Sequence, residues 1–246
     1  MTAVLVIAGT DPSGGAGLTR DVATLASFGV EALCAVTAIT VQSDHDVVSV
    51  APQPATLVQA QIAAALRTRR AAAVKIGMLG TDAIVLAVAA SLPPREATPL
   101  VLDPVLAATA GGTLLDVPGR AALCATLLPR ATLLTPNIPE AAALLGVTPA
   151  ASAAEVVEQG RALCALGVAA VLMKGGHADG PAAIDWLIGA DGGVRELRAP
   201  RSAATRRGTG CALASGIAAG LALGLPLAAA CERAKQHVTA LLHSAT

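Results

Sequence analysis

The sequence predicts an α/β fold, a three-layer α/β/α sandwich around a mostly parallel central sheet. Three observations carry that prediction. Short continuous apolar runs recur along the chain, as strands buried on both faces require. Each is followed by turn residues and then by a segment with helical spacing. The strand–helix alternation continues to the end, and it closes into a parallel sheet through right-handed crossovers.

Composition bounds the function. The 246 residues fit one domain, 1–246, and need no split. Basic and acidic residues balance at 17 each, which excludes a nucleic-acid or anionic-membrane surface as the main business of the chain. The hydrophobic fraction is 54%, much of it alanine, yet Gly, Pro or charge interrupts every apolar stretch before a membrane span is reached. No secretory leader is expected, since a strand begins at Ala3 without a basic region, and the expected compartment is the cytoplasm. Five cysteines (Cys34, Cys124, Cys164, Cys211, Cys231) without paired spacing read as reduced thiols. Phe28 and Trp186 are the only aromatic residues, so a flat ligand must lie between aliphatic or methionine side chains.

In chain order, Ala3–Ala8 is the first buried strand, and Gly9-Thr10-Asp11-Pro12-Ser13-Gly14-Gly15-Ala16-Gly17 leads into a helix ending near Phe28. Such a loop is a ligand-binding corner or simply a tight turn; it matches neither a Walker A motif nor the dinucleotide fingerprint. Asp21 in that helix, taken alone, reads as a surface carboxylate. Leu33–Val41 is predicted as one strand, with Gln42 at its carboxyl end, where ligands of open α/β sheets bind. Its amide carries the donor and acceptor that an aminopyrimidine edge needs, although a solvated loop glutamine explains it equally. A short strand at Val47–Val50 and a helix over Pro54–Arg69 follow. Ala73–Gly80 is the next strand, ending in glycine and Met78, and Thr81–Ser91 a helix.

Leu100–Val105 carries Asp103 at its tip, where an acid in an apolar run demands a partner or a cation. After the strand at Leu133, Asn137 and Glu140 lie on the turn into a helix. That pair suits a Mg²⁺ bridging nucleotide phosphates, or a helix capping box. A helix over Ser152–Leu166 leads to a strand ending in Met173-Lys174-Gly175-Gly176-His177, where the Lys174 ammonium can meet a phosphate. Ile184–Ile188 and Val194–Arg198 form a hairpin around Ala190-Asp191-Gly192-Gly193. Arg207-Gly208-Thr209-Gly210-Cys211 then opens a small-residue helix, Cys211 to about Leu223, with unpaired N–H groups at its positive end: an anion site. The same field favours a thiolate at Cys211. Leu227–Leu242 is the last helix.

Taken together, Ala8–Gly17, Lys75-Ile76-Gly77-Met78-Leu79, Leu102-Asp103-Pro104-Val105, Thr135-Pro136-Asn137-Ile138-Pro139-Glu140-Ala141, Met173–His177 and Gly208–Cys211 closely resemble the hydroxymethylpyrimidine/phosphomethylpyrimidine kinases of thiamine biosynthesis, a branch of the ribokinase-like superfamily. The resemblance runs from Val4 to at least Leu223. It implies a ribokinase-like fold and a kinase that phosphorylates 4-amino-5-hydroxymethyl-2-methylpyrimidine and then its monophosphate, with ATP as co-substrate and Mg²⁺ as cofactor. By position it implies a pyrimidine pocket of Gly9, Ala16, Asp21, Gln42, Met78 and Val105, with Met78 and Val105 flanking the ring. It implies Asp103, Asn137 and Glu140 on the magnesium side and Lys174 at the phosphates. Gly208, Thr209 and Gly210 take the anion hole and Cys211 the proton-acceptor position. A homodimer is implied as well.

The chain departs from the family pattern at Arg206-Arg207, where Thr-His is usual, and at Ala212, where Thr is usual. The two guanidiniums either add phosphate affinity, at least one of them, or are solvated loop charges. Two other readings remain at this stage. One is a pyridoxal or pyridoxine kinase, against which Gln42 speaks. The other is a non-catalytic pyrimidine-binding regulator, against which intact Asp103, Glu140, Lys174 and Cys211 speak.

Overall fold

The structure, a computed structural model, describes residues 1–43, 45–94, 96–107, 112–175, 182–202, 204 and 206–243. The first half of the chain forms β1 (Ala3–Ala8), α1 (Gly17–Ser27), β2 (Glu31–Val36), β3 (Ala38–Gln42), β4 (Val47–Pro52), α2 (Ala55–Thr68), β5 (Ala73–Ile76), α3 (Asp82–Ser91) and β6 (Leu100–Leu102). There follow α4 (Val117–Thr126), β7 (Leu133–Leu134), α5 (Ile138–Leu145), α6 (Ala153–Ala165) and β8 (Ala170–Met173). The hairpin strands β9 (Ala182–Gly189) and β10 (Val194–Pro200) and helices α7 (Thr209–Ala222) and α8 (Leu227–His243) complete it.

Eight strands make one sheet in the order β10-β9-β8-β7-β6-β5-β1-β2. The ladders from β2 through β8 are parallel, and the β9–β10 hairpin extends the sheet antiparallel. Alternate residues of β1 show the layers. Leu5 and Ile7 join a core closed by Val58 and Ile62 of α2, Ile84 and Val85 of α3, Leu123 of α4, Leu144 of α5 and Leu163 of α6. Val4 and Val6 face the other way, onto Leu25 of α1, Leu213 and Ile217 of α7 and Ala234 of α8. The predicted three-layer sandwich is therefore what forms. The alanine and glycine of α7 let it approach α8 closely: a Cβ on Gly220 would come 2.8 Å from the Ala230 Cβ.

The strand order turns around at β1, with β2 on one side and β5 to β8 on the other. Crevices at such a switch point, outside the carboxyl ends of the strands, bind ligands. The register Ile7–Ile76–Leu102–Leu134 brings the strand tips to one edge, so that Ala8, Gly77, Asp103 and Thr135 follow side by side, with Gly9 next after Ala8.

Two expectations change. The single strand predicted over Leu33–Val41 breaks at Thr37: β2 joins the main sheet, while β3 leaves it to pair antiparallel with β4. Thr37 is the pivot, fully buried, with its N–H on the Ala8 carbonyl (3.0 Å) and its hydroxyl on the Met78 carbonyl (2.6 Å). A run of β-branched residues carries no mark of which sheet each half will join. Helix α4 is an addition to the expected elements, although Asp116 accepts from the Gly119 amide (2.8 Å) as its N-cap, just before Pro118. Helix α7 begins two residues earlier than expected, at Thr209, so Cys211 lies in its first turn. None of the five cysteines is in a disulfide. Among the described residues no helix is long and apolar enough to cross a membrane.

Candidate active site

The glycine-rich loop after β1 is organised by Asp11, a residue to which the sequence alone assigns no role. Its buried carboxylate accepts from the Ser13 amide (2.9 Å) and hydroxyl (2.7 Å) through Oδ1, and from the Ala16 amide (2.8 Å) through Oδ2. Gly17 has φ +57°, and a Cβ there would meet the Gly9 carbonyl oxygen at 2.6 Å, so the chain doubles back tightly. Gly9 in turn lies against Met78, whose Sδ would be 3.0 Å from a Cβ at Gly9. Strand β3 runs along this loop through Thr40, whose hydroxyl donates to the Thr10 carbonyl (2.8 Å), and ends at Gln42. Gly9 thus lies against Met78, while Ala16 and Gln42 are linked to the same loop through Asp11 and Arg207. Val105 lies past the tip of the neighbouring β6, two residues beyond Asp103.

Asp21 differs from both expectations for it. It is not a surface carboxylate, since it is 0% exposed, and neither oxygen is open to a ligand. Oδ2 pairs with Lys75 Nζ (2.8 Å) and Oδ1 accepts from Ser215 Oγ (2.7 Å), joining α1, β5 and α7. Burial would lower the proton affinity of Lys75, but the carboxylates of Asp21 and Asp103 outweigh it and hold the ammonium above its ordinary range. The signal for Lys75 was present in the sequence: an ammonium inside the apolar run Ala73–Ile76 needs a counter-ion, as Asp103 does in its own strand. Lys75→Met leaves the Asp21 carboxylate buried and unpaired. We expect a loss of about 3–5 kcal/mol in denaturant unfolding, largely restored in the double variant with Asp21→Leu. A loss below about 1 kcal/mol would show that the pair is dispensable.

The Gly208–Cys211 turn stands over this pair. Gly208 has φ +73°, and the Cβ it lacks would be 2.1 Å from the Gly15 carbonyl oxygen, so the two glycine turns abut. The first intrahelical bond of α7 runs from the Ala212 amide to the Gly208 carbonyl, which leaves the N–H groups of Thr209, Gly210 and Cys211 ahead of it. Cys211 is not the thiolate expected. Burial pushes its thiol up to about 11; Lys75 and the Gly17 amide act against that, while the Asp21 and Asp103 carboxylates add to it. Burial and two carboxylates outweigh Lys75 and the Gly17 amide.

On the far side of the turn a Cβ at Gly210 would lie 3.4 Å from Lys174 Nζ and 3.8 Å from Asp103 Oδ2. Asp103 Oδ1 accepts from Lys174 (2.9 Å) and from the Thr135 hydroxyl (3.1 Å), and Lys174 stands 3.7 Å from Glu140. Burial would raise the Asp103 carboxyl, but Lys174 and Lys75 hold it below its usual range. Burial also pulls on the Lys174 ammonium, which Asp103 and Glu140 hold well above its ordinary value. Glu140 is pushed up, by burial first and then by the nearby Asp103. Asn137 and Glu140 form a complete capping box: Asn137 Oδ1 accepts from the Glu140 amide (2.7 Å) and Glu140 Oε2 from the Asn137 amide (2.8 Å). One lone pair of the Asn137 oxygen is thereby given to the helix start.

Among the described residues no group of three His, Cys, Asp or Glu side chains is poised to hold a metal by itself. Asp103 Oδ2 and Glu140 Oε1 accept no hydrogen bond from the described residues. Two carboxylates of this kind fit Mg²⁺, which keeps most of its waters and takes its remaining ligands from nucleotide phosphates.

Neither Arg206 nor Arg207 is a solvated loop charge. Arg206 donates to the Leu241 carbonyl in α8 (3.2 Å), and Arg207 reaches across to Asp11 (3.3 Å) and Gln42 (2.9 Å). Gly176 and His177 of the Lys174 motif lie outside the described residues.

Residues 11–246 match the family model described as phosphomethylpyrimidine kinase. A hydroxymethylpyrimidine/phosphomethylpyrimidine kinase of Escherichia coli is 43% identical over 215 residues, 87% of this chain and 80% of that one. The crystal structure of a phosphomethylpyrimidine kinase from Clostridium difficile superposes with a TM-score of 0.84 at 33% identity, covering 98% of this chain and 99% of that chain. A Staphylococcus aureus pyridoxal kinase in complex with AMP-PCP and pyridoxal superposes with a TM-score of 0.87 at 28% identity, covering 98% and 88%.

Proposed function

Because the chain belongs to the phosphomethylpyrimidine kinase family, we propose that it transfers the γ-phosphoryl of ATP first to the alcohol of 4-amino-5-hydroxymethyl-2-methylpyrimidine and then to the resulting monophosphate. The setting is thiamine biosynthesis in the cytoplasm, through one domain spanning 1–246 and as a homodimer. Ile39 and Val41, about half exposed on one face of β3, would supply apolar surface for that assembly. The observation that carries the proposal is the Gly208–Cys211 turn, wedged between the Gly15 loop on one side and Lys174 with Asp103 on the other. An acceptor lying in the Gly9–Met78–Gln42 crevice and a nucleotide held beside Lys174 would meet there.

Phosphoryl transfer is mostly positioning and stabilisation of charge on the moving group. The amides of Thr209, Gly210 and Cys211 and the Lys174 ammonium would supply that stabilisation. Asp103 and Glu140 would hold Mg²⁺, which neutralises charge on the β- and γ-phosphates. Gln42 would read the amino group and ring nitrogen, and Met78 would cover a ring face. Cys211 would take the alcohol proton in the first transfer. In the second transfer the acceptor is already anionic, and an uncharged thiol does not repel it as the carboxylate of a sugar kinase would.

ADP release, measured separately with the pyrimidine, its monophosphate and pyridoxal, tests the proposal. We expect turnover with the first two and at most weak turnover with pyridoxal. Turnover with pyridoxal alone would make the protein a pyridoxal kinase, and none with any acceptor would leave a binding protein.

A further inference from the structure

Arg207 ties three parts of the site together. Its Nη2 donates to Gln42 Oε1 (2.9 Å) and to Asp11 Oδ2 (3.3 Å), and its Nη1 donates to Ser13 Oγ (3.5 Å) and to the Ser43 carbonyl. Asp11 is 1% exposed and also holds the glycine loop, so the guanidinium is anchored on a fixed carboxylate. This arrangement decides something about Gln42. The two ends of a glutamine amide exchange by a half-turn of the last torsion, and in an open pocket either end can face a ligand. Arginine carries donors only, so the end facing Arg207 must be the oxygen. Gln42 Nε2 has no partner among the described residues and is the end left to donate.

The meaning of that orientation rests on the proposed kinase function, in which the ring to be read is the pyrimidine. Beside its hydroxymethyl arm the pyrimidine carries an amino donor and then a ring-nitrogen acceptor. In the same place pyridoxal carries a carbonyl acceptor and then a phenolic hydroxyl. The two edges have opposite polarity, so one amide orientation suits the first and the flipped orientation suits the second. The arm must point at the Gly208–Cys211 turn, which Arg207 directly precedes. The lock suits the pyrimidine when the Gln42 oxygen held by Arg207 lies toward the arm. There its second lone pair can accept from the amino group while Nε2 donates to the ring nitrogen. A pyridoxal carbonyl in that position would face another acceptor.

We infer that Arg207 is a positioning residue that determines specificity, locking the Gln42 amide in the orientation that reads an aminopyrimidine edge and rejects a carbonyl–phenol edge.

The test compares wild type with Arg207→Met, which keeps bulk without donors, and Arg207→Gln, whose side chain can donate or accept. For each protein kcat and KM are measured with the pyrimidine and with pyridoxal, and binding of each ring is measured by calorimetry without nucleotide. We expect the pyrimidine-to-pyridoxal ratio of kcat/KM to fall by about tenfold or more in both variants, through KM, with the same narrowing in the binding constants. If one variant fails to unfold cooperatively, the other carries the comparison. Equal losses for both rings, leaving the ratio unchanged, would reduce Arg207 to a structural strap and overturn the inference. A wild type that neither binds nor phosphorylates the pyrimidine would overturn the proposed function itself, and the lock with it.

Discussion

Gly208→Ala should lower kcat for both phosphorylations by about 10³-fold while lowering the unfolding midpoint by only a few degrees. Gly208 holds φ +73°, and an added Cβ would stand 2.1 Å from the Gly15 carbonyl oxygen and 2.9 Å from the Ala16 Cα. Both neighbours are backbone, so no rotamer change relieves the contact and the turn itself must move. The amides of residues 209–211 would then lose their aim at the moving phosphoryl, where donors act only if already in place. The core contacts of α7 begin beyond this turn, at Ala212 and Leu213, and should survive. Steady-state kinetics beside a thermal melt checks this. Activity within tenfold of wild type would mean that the turn is not the anion hole.

Cys211→Ala should separate the two steps. A positioned base contributes about 10²–10⁴-fold, and we expect the first phosphorylation to fall by about 10²-fold or more. The second, whose acceptor needs no deprotonation at neutral pH, should fall by less than about tenfold. The pushed-up thiol, near 11, adds a pH signature of definite sign. At pH 7 the group is protonated and must lose its proton before it can take another. The first step should therefore quicken as pH rises from 7 toward 10, by about tenfold per unit when this ionisation limits the rate. The second should stay flat once the monophosphate has lost its last proton, near pH 6. Single-turnover rates for each acceptor across this range read both slopes. Equal losses in Cys211→Ala, or parallel pH profiles, would contradict the role given to the thiol.

The parts of this protein that were legible in its sequence are those fixed by local pattern. Buried parallel strands announce themselves as apolar runs, and the residues that end them (Gly9, Met78, Asp103, Lys174) fall at one edge because parallel strands all point the same way. The division of Leu33–Val41 at Thr37 was not legible, because it depends on carbonyls supplied from elsewhere in the chain, by Ala8 at the end of β1 and Met78 just past β5. Asp21 looked like a helix-surface acid because its partners, Lys75 and Ser215, lie 54 and 194 residues away. The charge state of Cys211 has the same origin. The helix terminus is visible locally, while the opposing carboxylates come from α1 and the tip of β6. Asn137 and Glu140 carried both meanings at once, and only geometry shows that the capping box is formed. The direction of Arg207 depends on where the Gly15 loop and the end of β3 sit, which no spacing reveals.

Central to the proposed function is one crevice, closed by the Gly208–Cys211 turn, that serves both transfers. Phosphorus NMR of the wild-type protein with ATP, Mg²⁺ and the pyrimidine alcohol tests it directly. The monophosphate should rise and then give way to the diphosphate, with two ATP consumed per pyrimidine. Added monophosphate should compete with the alcohol for the same site. A reaction that stops at the monophosphate, or a monophosphate that leaves the rate of the first transfer untouched, would contradict it.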